Sequence, residues 1–197
     1  MLLTSRSFFV KERVAVMKLT DTYDIIDPET QLQIGIARDE PSPFCKYARL
    51  LIGKRLLPTT IRIYETESNL PVLTLEKKAG FFRVMVVVRN AQQNVLGSFT
   101  SKVLTLGGGF FVDNSAGNRM AEVKGDWKGW NFRFLDNAGA ELGIVTKKWA
   151  GIGKELFTTA DNYLISLSTL AASKPEMNAL LLAAGLSIDI VFKEKSS

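Results

Sequence analysis

The chain contains no histidine. Ser-His-Asp and Cys-His catalysis, His-ligated metal sites and imidazole pH switches are thereby excluded. A single cysteine, Cys45, leaves nothing for an intrachain disulfide or a Cys-based zinc site. One thiol without disulfides fits a reducing, intracellular setting, and a plain packed or surface thiol is the expectation for Cys45. Long apolar runs are also missing. The longest near the C-terminus, Ala179 to Leu186, falls far short of the ~18 residues that mark a membrane span. Near the N-terminus Arg6, Lys11, Glu12 and Arg13 interrupt any apolar core, so no signal peptide is expected. No block of five like charges forms a basic arm, which argues against nucleic acid as a partner. Gly107-Gly108-Gly109 lacks a following Lys-Ser/Thr and reads as a turn or bulge between strands, not a phosphate-binding loop. Trp127, Trp130 and Trp149 sit in Gly-flanked settings that suit rim or core aromatics. With no cofactor fingerprint and no catalytic motif, an enzyme is not expected.

What is present fits one well-cored domain spanning residues 1–197. Hydrophobic residues make up 46% and charged residues 23%, both ordinary for a globular protein. A net charge of +5 biases the surface mildly toward anionic partners. One unit recurs along the chain: an alternating apolar strand, a polar anchor, a short turn and a second strand. The anchors are Asp27, Glu65, Asn90, Asp113 and Asp136, each after a run rich in Ile, Val or Phe. The residues after each anchor are turn formers, so the anchors read as turn-capping groups and not as paired catalytic carboxylates. Four units then place a large apolar residue beside a small one: Ile34-Gly35, Leu96-Gly97, Met120-Ala121 and Leu142-Gly143. A small residue at a fixed place in a strand marks close approach by another group. Repeated around a sheet, it predicts strands curving about something central. The expected fold is mainly β, a closed antiparallel barrel of hairpin repeats.

Two stretches break the repeat. In PSPFCKYARLLIGKRLLP, Phe44, Ala48 and Leu51 share helical spacing, with Lys46, Arg49, Lys54 and Arg55 elsewhere. The pattern predicts a short basic amphipathic helix near 44–56, ended by Pro58, that either lies on an anionic membrane or flanks the barrel. The second break is C-terminal. Ser173 and Glu176 form an S-x-x-E capping box with Pro175 in the first turn. MNALLLAAGLSIDIVF then follows, apolar on essentially every helical face, so a helix here must be wholly surrounded. Asp189 argues against a membrane span, and a buried core helix is expected. The alternation of Ile188, Ile190 and Phe192 leaves a strand ending open.

The stretch KKWAGIGKELFTTADNYLISLS, followed by that apolar segment, resembles the phospholipid scramblases of the LURP-one-related, tubby C-terminal-like group. The resemblance rests on Trp149, Gly151, Glu155, Phe157, Thr158, Ala160, Asp161, Asn162, Tyr163 and Ile165, then Ile188, Asp189, Phe192 and Glu194. It implies a barrel of about twelve strands enclosing the C-terminal helix. It also implies association with membranes, phosphoinositides or protein partners, and for scramblases transbilayer movement of phospholipid triggered by calcium. The implied calcium loop is degenerate here. Position 1 is Thr159, position 3 is Asp161 with Asn162 beside it, position 6 is Leu164 and position 12 is Leu170. An EF-hand-like loop needs oxygen ligands at 1, 3 and 12 and Gly at 6, so calcium is not expected as a cofactor. Asp161 and Asn162 read instead as a structural turn. The Cys-rich palmitoylation segment and Pro-rich N-terminal region of animal scramblases are missing too. The expectation is a cytoplasmic, non-catalytic barrel that binds anionic phospholipid or a membrane surface peripherally, with Lys46, Arg49, Lys54 and Arg55 as the lipid-binding candidates. A lipid scramblase and a soluble protein-interaction module remain as alternatives.

Overall fold

The computed structural model describes residues 2–13, 20–52, 56–66, 68–79, 83–102, 108–126, 130–147, 162–172 and 174–192. A 3-10 turn at Leu2–Thr4 precedes β1 (Ser7–Glu12), β2 (Thr22–Ile26) and β3 (Gln33–Asp39). A short helix, α1 (Pro43–Ala48), separates these from β4 (Thr59–Glu65), β5 (Pro71–Lys77), β6 (Met85–Asn90) and β7 (Val95–Ser101). Then come β8 (Gly109–Asn114), β9 (Arg119–Asp126), β10 (Asn131–Asp136), β11 (Glu141–Thr146) and β12 (Tyr163–Leu167). One turn of helix, α2 (Thr169–Ala172), leads into α3 (Pro175–Phe192).

Every strand pairs antiparallel with its sequence neighbours, and β1 pairs with β12, closing a twelve-stranded barrel. Closure removes every free sheet edge. Inward side chains alternate along each strand, as Leu73 and Leu75 on β5, Val86 and Val88 on β6, and Phe132 and Phe134 on β10 show; all six are buried.

The two ends of the barrel differ. At one, which we call the turn end, tight hairpins join β2–β3, β4–β5, β6–β7, β8–β9 and β10–β11. Their chemistry is that of the repeat. Asn90 Oδ1 accepts from the Gln92 and Asn94 amides at 3.0 and 2.9 Å, and Asp136 Oδ1 accepts from Ala138 and Ala140 at 2.9 and 2.8 Å. Asp27 Oδ1 accepts from the Glu29 amide at 2.9 Å. One anchor needs correction. In the fourth unit Asn114, not Asp113, caps the turn, accepting from Ala116 and Asn118; Asp113 points outward to Arg119. The Glu65 carboxylate accepts from the Leu2 amide at 2.8 Å, and Glu67, whose amide a cap would meet, lies outside the described residues.

The last residue of each such turn needs a left-handed backbone. Gly117 at φ +81° and Gly139 at φ +83° supply it without strain, whereas the third turn places Gln93 there at φ +64°. A side chain in that region costs about 1–2 kcal/mol, and glycine gives back part of this through unfolded-state entropy. Gln93→Gly is therefore expected to raise the unfolding free energy by about 0.5–1 kcal/mol, read as a higher urea midpoint at unchanged slope.

α3 begins at the turn end and runs inside the barrel. Asn178, fully buried, donates from Nδ2 to the carbonyls of Leu3 and Ser5 at 2.7 and 3.0 Å, tying the helix start to the segment before β1. Leu180, Leu181, Leu182, Ala183, Ala184, Leu186 and Ile188 are all buried, so the wall covers every face of the helix. The C-terminal segment is helix through Phe192, which removes the strand alternative. Ser173 lies outside the described residues; Glu176 sits in the first turn. The recurring small residues make room where predicted. At Gly97 a Cβ would collide with the Asp113 carbonyl oxygen and lie 3.0 Å from a Leu180 methyl.

Candidate functional site

The opposite end, the loop end, carries the longer connections, and that between β3 and β4 holds α1. Ser42 caps α1, accepting from the Cys45 amide at 3.3 Å, with Pro43 at the first position, where its missing N–H is harmless. The helix presents Cys45 and Arg49, one turn apart, to the barrel. Arg49 grips Asp39 on the inner side of β3 through both amino groups, and its Nη2 also donates to Thr59 Oγ1 on β4 at 3.0 Å. The side chains of this ion pair are 1% and 3% exposed. Next to it, Glu40 accepts from Arg62 and from the Tyr64 hydroxyl at 2.9 Å. Burial first, and the Glu40 carboxylate second, push the Tyr64 hydroxyl above its ordinary range.

The outer face of this connection is apolar. Phe44 is 79% and Leu51 91% exposed, and Tyr47, Leu50 and Ile52 are exposed with them. Lys46 stands among these side chains. On the next loop-end connection, between β5 and β6, Lys78 and Arg83 are exposed. None of these three cations has an ion pair among the described residues. Of the acids at this end, Asp24, Asp39 and Glu40 are neutralised by Arg13, Arg49 and Arg62.

Of the residues predicted to bind lipid, Lys46 is on the surface, while Lys54 and Arg55 lie outside the described residues. Arg49 is a correction. It is sealed beneath α1 as the counter-ion of Asp39, because a carboxylate on the inner face of a barrel requires a partner. The helix is also shorter than 44–56, ending at Ala48 with a further turn to Ile52, and Phe44 and Leu51 stand in solvent. The spacing did not reveal Tyr47, Leu50 and Ile52 as surface residues, nor Lys78 and Arg83 as their neighbours on the rim.

Thr159 and Asp161 lie outside the described residues, and Asn162 is buried just before β12. The described part of this stretch does not fit a twelve-residue calcium loop. Tyr163 to Ser166 are paired with β1, and Leu164 to Leu167 with β11, so a segment that should wrap an ion is an extended strand. Leu170, at the last ligand position, is an apolar residue on α2. Among the described residues no group of three His, Cys, Asp or Glu side chains is placed to hold a metal. Trp130 packs on Tyr163 and edge-on to Phe132, with Lys147 over its ring, as a rim aromatic; Trp127 and Trp149 lie outside the described residues.

The family model described as Scramblase matches residues 71–195, well over half of the chain. The chain belongs to the scramblase family. The match begins at the first residue of β5 and runs through α3, so the part of this scramblase-family barrel that carries α1 precedes the matched region. No curated protein and no solved structure matches the chain. Among the described residues no helix is long and apolar enough to cross a membrane.

Proposed function

We propose that this scramblase-family chain is a non-catalytic, cytoplasmic barrel that binds anionic membrane surfaces peripherally through its loop end. The carrying observation is the charge at that end: Lys46, Lys78 and Arg83 are exposed without ion pairs among the described residues, while Asp24, Asp39 and Glu40 are paired with Arg13, Arg49 and Arg62. Family membership supports a lipid role. Each Lys or Arg near an anionic leaflet contributes roughly 1 kcal/mol, falling off within a Debye length. Transbilayer movement of lipid by α3 is disfavoured, because Leu180 to Ile188 would have to leave a closed wall that buries them.

Co-sedimentation with phosphatidylserine-containing vesicles tests this. Binding is expected to rise with the anionic fraction, to weaken between 50 and 300 mM salt, and to drop roughly tenfold or more for K46E/K78E/R83E. Equal binding to neutral vesicles, or no binding at all, would sink the proposal.

A further inference from the structure

We propose that the loop end does not only adsorb but inserts: α1 and the turn after it push Phe44, Leu50 and Leu51 below the headgroups of an anionic bilayer, orienting the barrel with its loop end down. This rests on the peripheral-membrane reading and adds a depth and an orientation to it.

The first argument is clustering. Exposed large apolar residues elsewhere, Leu32, Leu70, Met85, Val95 and Leu170, come one at a time along the chain. Phe44, Tyr47, Leu50, Leu51 and Ile52 instead fall within a single short segment, from the first turn of α1 to the turn that follows it. Single exposed apolar residues need no explanation, but a contiguous patch of this kind marks an interaction surface.

The second is backbone saturation. A segment that leaves water must satisfy its own amides. Here the Lys46 amide donates to Ser42 O, Arg49 to Cys45 O, Leu50 to Tyr47 O, and Leu51 and Ile52 both to Ala48 O, at 2.8 to 3.1 Å. The protruding turns thus carry their hydrogen bonds with them.

The third is rigidity. Buried Cys45 and the Arg49–Asp39–Thr59 contacts fix the inner face, so the outer face is presented from an ordered platform and little conformational entropy is lost on docking. The fourth is complementarity. Lys46 within the patch, with Lys78 and Arg83 on the neighbouring connection, places cations at headgroup height while the apolar side chains go deeper, and Tyr47 suits the boundary between them. An anionic bilayer satisfies both halves of this surface at once. Such an orientation puts the turn end, where α3 enters the barrel, away from the membrane.

The test uses the full chain with an environment-sensitive fluorophore. Buried Cys45 is kept, with unsubstituted protein as the control for its labelling; Leu51→Cys carries the label at the loop end and Ala138→Cys carries it at the turn end. Vesicles are phosphatidylserine and phosphatidylcholine, with lipids spin-labelled high on the acyl chain. The expected result is a blue shift and quenching at position 51 on vesicle addition, and neither at 138. Unlabelled Phe44→Glu/Leu51→Glu, at exposed positions and checked for folding by circular dichroism, is expected to lose roughly tenfold or more of its vesicle binding, including the fraction that survives high salt. A water-like, unquenched label at 51 on vesicle-bound protein would overturn insertion while leaving adsorption standing. Absence of binding to any vesicle overturns both readings. A blue shift at 51 without vesicles that grows with protein concentration would assign the patch to a second copy of the chain and overturn the proposal as well.

Discussion

Replacing Gly97 by valine is expected to lower the stability of this barrel by about 3 kcal/mol. Overpacking a full core costs about 1–3 kcal/mol and occasionally more, and the upper end applies here because neither neighbour can retreat. On the wall side, a Cβ at 97 meets the carbonyl oxygen of Asp113, part of β8, which is held by hydrogen bonds to β7 and to β9. On the core side it meets Leu180 of α3. The helix cannot shift far, because a Cβ at Gly185 would already collide with Ile165 of β12, so helix backbone and wall are in close approach there too. The repeat itself shows how local this is, since the corresponding place on β9 is Ala121, buried and tolerated. Urea unfolding measures the loss, and about 3 kcal/mol is roughly 6–12 °C in Tm for a chain of this length. A Gly97→Val protein within 0.5 kcal/mol of wild type would show that α3 does not press on β7.

Most of the barrel was legible because its determinants are local. Three turn-end hairpins combine a side-chain acceptor at the start with a left-handed residue near the close, and NAQQN, NSAGN and DNAGA supply both within five residues. The one-residue error at Asp113 arose where two good cappers adjoin. The register shift between Val112 and Asp113 decides which of them faces the turn, and a bulge is not a property of composition. α3 was legible as a surrounded helix because no face of it is polar. For α1 the burial of Arg49 was not legible. Six residues are too few for periodicity to fix a face, and the group that turns Arg49 inward is Asp39, on another element and on the inside of the barrel. The rim charges were missed for a related reason. Lys78 and Arg83 are brought beside α1 by the up-and-down pairing of β3 to β6, which puts the β3–β4 and β5–β6 connections at the same end.

Asp39→Asn is expected to be the most damaging conservative change near the candidate surface, at about 3–5 kcal/mol. Asparagine keeps the shape of the side chain and removes its charge, leaving the buried Arg49 guanidinium without its carboxylate, beside the Thr59 hydroxyl and a neutral amide. The cost comes from an uncompensated buried cation more than from the lost bond, and a double substitution separates the two. Asp39→Leu/Arg49→Met removes both charges at similar volume, and it is expected to recover most of the loss, since well-packed apolar pairs often replace buried ion pairs without penalty. The prediction therefore has a sign pattern: one substitution severe, two mild, with the coupling read from equilibrium unfolding. If Asp39→Asn stays within 0.5 kcal/mol of wild type, the pair is hydrated and α1 has no fixed footing. The functional readout follows from the same contact. With the inner face of α1 unpinned, Phe44, Leu50 and Leu51 are no longer held outward, so Asp39→Asn should weaken the salt-resistant part of vesicle binding. The salt-sensitive part, carried by Lys78 and Arg83 on a different connection, should persist wherever the barrel remains folded.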